Sequence, residues 1–366
     1  MSKTYDVMNT YDIIVVGGGP SGACFGRFIG KKYKVLLLDK RNYQDENNFH
    51  TKSCGGLLNE KAQKLISSLN YVIPKEILVN SQVFNVKVLD LDNNLSKRYA
   101  KTYMNMDREK FDNYLLTQVS SHVEVLKGAL YLDSKKENNM HIVRYRIDGK
   151  LHYAQGKILV GADGANSKVA DEINPRPQNK FVSIQKIYKK VKTHPHHFAI
   201  FDKEINDYYS WVIEKDDEVV LGSILGNVED KEDNSYEKFN LLEKKIREKG
   251  DILGEFIRGE GTIIKRPDLK SPFSGMGTTP LIGESAGFIS PSSSEGISFA
   301  LKSGFYLADS LNKYGLNKGL KKYYKKTKST IFSLKLKYFK SKLMYNPITR
   351  NLIIRTGVFA NKEYLK

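Results

Sequence analysis

The stretch that most constrains this chain runs from Tyr11 to Asp39, YDIIVVGGGPSGACFGRFIGKKYKVLLLD. Its apolar run Ile13 to Val16 predicts a buried strand, which feeds directly into Gly17-x-Gly19-x-x-Gly22 and then a helix ending near Lys31. Each glycine has its own physical task. Gly17 allows a tight turn, Gly19 lets a pyrophosphate approach the backbone without meeting a Cβ, and Gly22 lets the helix pack close to the strand. The N–H groups at the helix start, with the positive end of its dipole, favour an anion there. A second apolar strand, Val35 to Leu38, ends on Asp39, about twenty residues past the glycines, where a carboxylate accepts hydrogen bonds from ribose hydroxyls. Strand, glycines, helix, second strand and terminal acid in one contiguous unit predict a bound dinucleotide; the bland alternative is an ordinary strand–helix–strand unit with a glycine turn.

A length of 366 residues predicts roughly two domains. Two cysteines, Cys24 and Cys54, cannot form a disulfide framework, and no His/Cys spacing suits a metal, so none is expected. His194, His196 and His197 cluster, but as a loop between strand-like segments. No apolar run approaches the roughly eighteen residues that span a bilayer, and no signal sequence is evident. The expectation is a cytoplasmic protein, soluble or peripheral at the inner face of the membrane. The net charge of +18 is unevenly placed. Between Ser310 and Ala360 stand eleven lysines plus Arg350 and Arg355, thirteen cations with no Asp or Glu among them. Such a field favours an anionic membrane, nucleic acid or an acidic substrate.

Past Asp39 a polar loop, residues 41 to 52, ends in Ser53-Cys54-Gly55-Gly56-Leu57-Leu58, with a helix expected from Asn59 to about Leu69. Two glycines after a cysteine bring backbone close to something flat or bulky. Cys54 is either a reactive thiol, favoured as thiolate by Lys52, or a small space-filling residue. Val79 to Met104 alternates like a hairpin about Asn93-Asn94, so a second sheet begins here. Asp107 is an expected N-cap for the helix opened by DREKFD. Residues 129–134, 140–147 and 151–157 predict a meander, and Ile158 to Gly161 a further strand running into Asp163-Gly164. Phe181 to Gly226 supplies more strands, dense in aromatic residues. Alternation puts Tyr209 and Trp211 on one face, which is either an apolar substrate wall or core. Residues 231–248 predict a charged helix. A last strand, Thr279 to Ile282, leads into Gly283-Glu284-Ser285-Ala286-Gly287, and Glu295-Gly296-Ile297 opens an apolar helix.

Three separated signals in this order, the GxGxxG with Asp39, the GADGANS of 161 to 167 and the GESAGFISPSSSEGI of 283 to 297, resemble the FAD-dependent oxidoreductases of the p-hydroxybenzoate hydroxylase fold. Within them the chain is most similar to the geranylgeranyl reductase branch and its shorter bacterial CbrA-type proteins. The resemblance covers about residues 10 to 310. It implies an α/β fold with a Rossmann-like FAD-binding domain, an inserted antiparallel-sheet substrate domain and a C-terminal helical segment. The implied boundaries are 1–78, 106–178 and 262–312 for the FAD domain, 79–105 and 179–261 for the substrate domain, and 313–366 for the basic segment. It further implies that Gly17, Gly19 and Gly22 bind the pyrophosphate of non-covalent FAD and Asp39 its adenosine ribose, with Arg108, Asp163 and Gly164 at the cofactor. Gly283-Glu284 stands where the family has Gly-Asp at the ribityl chain, and Gly296 and Ile297 offer N–H groups beside the flavin pyrimidine. Cys54-Gly55-Gly56 resembles the segment that the reductases place by the isoalloxazine. Tyr209-Ser-Trp211-Val-Ile213-Glu214 resembles the Tyr-x-Trp-x-Phe-Pro of their lipid cavity, with Ile-Glu in place of Phe-Pro.

The expected chemistry is reduction of carbon–carbon double bonds in an apolar, isoprenoid-like substrate by hydride from reduced flavin, with NAD(P)H or another reductant as electron donor. Cys54 and Tyr209 are the candidate proton donors, and Tyr209 and Trp211 the candidate substrate contacts. The rivals are an aromatic or polyketide monooxygenase or halogenase, and a flavin-containing lipid-binding protein. In residues 316–343, Leu320, Tyr323, Tyr324, Ile331, Leu334, Tyr338 and Phe339 recur at three- and four-residue steps among lysines. They predict either a basic helix on an anionic membrane or a stripe packed on the protein. Nucleic acid is not expected, because no recognition motif accompanies the charge.

Overall fold

The computed structural model describes residues 8–42, 53–175, 179–194, 197–228, 234–250 and 252–357. The polar loop of 41 to 52, Lys52 included, lies almost wholly outside them, as does His196. The chain forms two compact units. The first comprises Met1–His50, Asp112–Asn179 and Lys265–Leu336, the second Thr51–Phe111, Lys180–Ile264 and Lys337–Lys366.

The first unit is built on a six-stranded sheet in the order Val123–Lys127, Val35–Asp39, Asn9–Val16, Lys150–Gly161, Met140–Ile147, Leu130–Glu137. The first four strands are parallel and the last three form an antiparallel meander. Val35–Asp39 is buried at every position, as a parallel strand covered on both faces must be. Ile158 to Gly161, expected as a separate strand, is the second half of Lys150–Gly161. The exposed first half of that strand pairs with the meander and its buried second half with Asn9–Val16, so one strand serves both neighbours.

Helix Pro20–Phe28 starts with proline in its first turn, where no N–H is needed, and buries Ser21 to Gly26. The C-terminal helix Ile297–Tyr345 packs on it at Gly304, where a Cβ would lie 2.3 Å from the Ser21 carbonyl oxygen. Asn312 ties off the other end of Pro20–Phe28, accepting from the Gly30 N–H at 2.8 Å and donating to the Phe28 carbonyl at 2.7 Å. Ile297–Tyr345 is broken at Gly315, whose φ of 74° and ψ of 175° no helix contains. Past the break, Gly319 comes so close to the preceding segment that a Cβ would lie 2.7 Å from the Ser310 oxygen. The two halves therefore fold back on each other.

The second unit holds an eight-stranded sheet, ordered Leu253–Lys265, Lys180–Lys190, Glu218–Asn227, Ser210–Lys215, His197–Phe201, Val83–Asp90, Leu95–Asn105, Leu57–Asn59. Within the expected antiparallel sheet one pair is parallel, His197–Phe201 with Val83–Asp90. No hairpin joins these strands, because the chain passes through the first unit between them. Helix Ser235–Arg247 covers the sheet through Phe239, Leu242 and Ile246, which share a core with Tyr188, Phe198 and Leu221. Leu57–Asn59 pairs with Tyr103–Asn105. Residues 53–78, expected in the FAD domain, thus fall in the second unit. Helix Pro347–Thr356 is fixed to the same unit by Arg350, 2% exposed, whose Nε and Nη2 bond the two Asp90 oxygens at 2.9 Å each.

Candidate functional site

In the first unit three loops converge at the carboxyl ends of the parallel strands, the end at which open α/β sheets bind ligands. Gly17 takes a φ of 103°, and its N–H bonds the Leu38 carbonyl at 2.7 Å. Three glycines are demanded by the protein itself. A Cβ would meet the Ala162 oxygen at 2.4 Å from Gly17, Asp39 Oδ2 at 2.5 Å from Gly18, and the Gly17 oxygen at 1.9 Å from Gly22. Gly19 differs: a Cβ there would find nothing nearer than Arg41 Nη2 at 4.0 Å. Its extended backbone, φ −66° and ψ −175°, also suits any residue. The space above Gly19 is a cradle that a side chain would fill, and it lies at the N-terminus of a helix with no side-chain cap and no acid in its first turn. Those features fit a phosphate.

The second loop hangs from Gly161. Ser167 caps helix Lys168–Ile173 by accepting from the Ala170 N–H at 2.9 Å, while Asp163 accepts from the Ser167 hydroxyl and the Val169 N–H. Asp163 thereby braces the turn at Gly164, whose φ is 79°, and burial pushes its carboxyl up. In the third loop, Ile282 N–H bonds the Gly161 oxygen at 2.9 Å and Ser285 Oγ the same oxygen at 2.6 Å. Gly283, at φ 66°, lies where a Cβ would be 2.6 Å from Ser21 Oγ, so this loop packs on the helix of the first. Glu284 accepts from the Lys265 N–H at 3.1 Å. Gly296 and Ile297, both half-buried, open the long helix, where Glu295 accepts from the Ser298 N–H at 2.9 Å.

Asp39, 3% exposed, is bound on both oxygens by Arg41, at 2.9 Å from Nη2 and 3.1 Å from the backbone N–H. Arg41 Nη1 reaches Asp112 at 3.0 Å. The acid expected to read ribose is therefore also the anchor of a guanidinium beside Gly19.

The remaining candidates belong to the second unit. Arg108 Nη1 lies 3.1 Å from Cys54 Sγ, and Asp107 caps its helix by accepting from the Glu109 and Lys110 N–H groups. Lys215 Nζ donates to Asn105 Oδ1 at 3.0 Å and to the Met106 carbonyl at 2.8 Å, and burial pushes its ammonium down to about 8. The glycines of the Cys-Gly-Gly segment are required by this packing. A Cβ at Gly55 would meet Ile213 Cδ1 at 2.6 Å, and one at Gly56 the Met106 oxygen at 2.3 Å and Lys215 Nζ at 2.6 Å. Cys54 itself is half-buried, with the Arg108 guanidinium on its sulfur and the Lys215 ammonium beside Gly56.

Tyr209 and Trp211 do share a face, their ring centroids 5.7 Å apart. Trp211 lies flat on Gly222, where a Cβ would be 2.3 Å from the indole, and is 7% exposed in a cluster with Phe201, Tyr208, Ile213 and Tyr345. Its Nε1, buried and without a partner among the described residues, is 4.0 Å from the Cβ position of Gly55. Burial pushes the Tyr209 phenol well above its usual range, which makes it a weak acid. Glu214 is turned inward onto the His194 N–H. His197 is a buried strand residue held neutral, burial pushing it down to about 4, and no metal cluster occurs among the described residues.

Neither Arg41 nor Lys215 stands out in the sequence. Alternation from Tyr209 through Trp211 and Ile213 does reach Lys215, and that period was the available signal.

No family model matches the chain. Protein CbrA of Escherichia coli K12 is 33% identical over 355 residues, covering 96% of this chain and 98% of that protein. Among solved structures, a geranylgeranyl bacteriochlorophyll reductase-like protein from Thermoplasma acidophilum superposes with a TM-score of 0.80 at 20% identity, covering 95% of this chain and 91% of the other. PqsL, a probable FAD-dependent monooxygenase from Pseudomonas aeruginosa, gives 0.69 at 15% identity over 96% and 100%. Identity of this level along nearly the whole length, with the three motif loops meeting at one sheet end, establishes that the chain belongs to the CbrA family and carries the fold of the p-hydroxybenzoate hydroxylase-type flavoproteins.

Proposed function

We propose that this protein is an FAD-dependent oxidoreductase that reduces carbon–carbon double bonds of an apolar, isoprenoid-like substrate. The observation that carries the reading is the cradle over Gly19, which the protein's own packing leaves clear while it crowds Gly17, Gly18 and Gly22. In this reading the N–H groups of the Gly17–Gly22 turn hold the pyrophosphate. Arg41, anchored by Asp39 and Asp112, adds a fixed positive charge, and the loops at Gly164 and Gly283 position the rest of the cofactor. When bound, FAD supplies a hydride from its reduced ring to an electrophilic carbon, the electrons coming from NAD(P)H or another two-electron donor.

The second carbon needs a proton. The Cys54, Arg108 and Lys215 cluster supplies it: either Lys215 gives up the proton and is left as a neutral amine, or Cys54 gives it up and Arg108 steadies the thiolate that remains. Tyr209 is the weaker donor because burial opposes its ionisation. Tyr209 and Trp211 contribute apolar walls. The similarity to the Thermoplasma reductase-like protein supports reduction, and the likeness to PqsL supports the rival, an oxygen-activating monooxygenase.

Acid precipitation of the purified protein is expected to release FAD, and reduced enzyme to be reoxidised anaerobically by polyprenyl lipids. Release of FMN or of no flavin removes the cofactor assignment; oxygen uptake driven by NAD(P)H, without anaerobic reoxidation, selects the monooxygenase.

Lys215 gives a further expectation. An ammonium pushed down to about 8 is charged below that pH and neutral above it, so turnover that uses its proton falls as pH rises through about 8. In Lys215→Arg, whose guanidinium keeps its proton, turnover is expected to drop at every pH and the step near 8 to disappear with it. An unchanged pH profile in the variant leaves the proton to Cys54 alone.

A further inference from the structure

The C-terminal helices carry apolar side chains on two faces, and only one face is packed. Leu320, Tyr323 and Leu334, at 3%, 0% and 1% exposure, are core. On the opposite side of the same segment Phe332, Leu336, Phe339 and Leu343 are 63%, 55%, 56% and 45% exposed. Steps of four, three and four residues keep these side chains within an arc of about 60° on a helix that turns about 100° per residue. Exposed Lys335 and Lys342 border the row on one side and Lys340 on the other. The next helix, Pro347–Thr356, exposes Ile348 and Leu352 of its own, at 81% and 63% and one turn apart, with Arg355 also exposed. Single exposed leucines are ordinary; an aligned row bordered by cations is not.

Charge selects the occupant. No acid stands among the thirteen cations of residues 310–360. A second copy meeting this face across a twofold axis would set lysine against lysine. An anionic bilayer accepts both parts, the phenylalanines and leucines entering the acyl boundary and the lysines meeting lipid phosphates. We propose that this face docks the protein on the surface of an anionic lipid bilayer, lying in the interface. No helix among the described residues is long and apolar enough to cross a membrane.

Flotation of the full chain with vesicles of phosphatidylcholine, alone or mixed with phosphatidylglycerol, at low and high salt tests this. Binding is expected with phosphatidylglycerol at low salt, and to be lower by about tenfold on phosphatidylcholine alone or in high salt. Phe339→Glu with Leu343→Glu should abolish flotation. Lys335→Gln, Lys340→Gln and Lys342→Gln together should weaken it and flatten its salt dependence. All five side chains point outward, so the variants should keep the wild-type circular dichroism and melting temperature. The proposal is overturned by absence of flotation, by flotation that Phe339→Glu with Leu343→Glu leaves intact, or by a wild-type dimer in light scattering that the same variant dissociates.

Discussion

Gly19→Val is expected to purify as a folded protein that has lost its flavin. The valine meets no protein atom on its Cβ closer than 4.0 Å and inherits a backbone conformation open to any residue. What it fills is the phosphate cradle at the helix N-terminus. Flavin retained through desalting should fall to about a tenth of wild type or less, a loss of about 1.4 kcal/mol or more in binding. The melting temperature should move only by the stabilisation that bound cofactor provides. Gly22→Ala makes the contrast, because its Cβ would lie 1.9 Å from the Gly17 oxygen. Relieving that overlap costs about 1–3 kcal/mol or more of stability, so this variant should lose fold and flavin together. Wild-type flavin content in Gly19→Val would show that no phosphate rests there.

Arg350→Ala is the substitution with the largest expected cost to stability. Arg350 and Asp90 are 2% and 1% exposed, joined by two parallel bonds of 2.9 Å, with Asp92 as a third partner and the Phe201 ring 5.0 Å from the guanidinium. Removing the arginine leaves Asp90 charged and buried, at a cost of about 3–5 kcal/mol. Replacing both, as Arg350→Met with Asp90→Leu, should recover most of that loss, since the buried pair is gone and Asp92 keeps the Lys203 N–H. Thermal or denaturant unfolding measures both. If Arg350→Ala unfolds within error of wild type, helix Pro347–Thr356 contributes no anchorage through this pair.

The glycine turn after the first strand was legible because its requirements are local. A strand, a turn and a helix end are contiguous in Tyr11 to Asp39, and glycines record where the backbone cannot carry a side chain. Asp107 was legible as an N-cap for the same reason. What escaped depends on long-range packing. Arg41 sits two residues past Asp39, yet its use as a guanidinium fixed by Asp112 requires a helix some seventy residues away to pack under it. The Cys54 glycines invite a ring as neighbour in the sequence, whereas Met106, Ile213 and Lys215 already demand them.

The C-terminal segment is hard to read for a different reason. Leu320, Tyr323 and Leu334 belong to the packed face, while Phe332, Leu336 and Leu343 make the outer row with Phe339. A helix apolar on two sides has no single stripe, and period counting merges both into one.

Gly315 bears on how these two demands coexist in one chain. An unbroken α-helix transmits rotational phase at about 100° per residue from end to end. Gly304 and Asn312 fix the phase of the first segment, since each must meet helix Pro20–Phe28 at one point. Without a break, that constraint would dictate the direction of every side chain out to Leu343. The left-handed φ at Gly315 cancels the inherited phase, so the lysine-bordered row takes its angular setting only from Leu320, Tyr323 and Leu334 behind it.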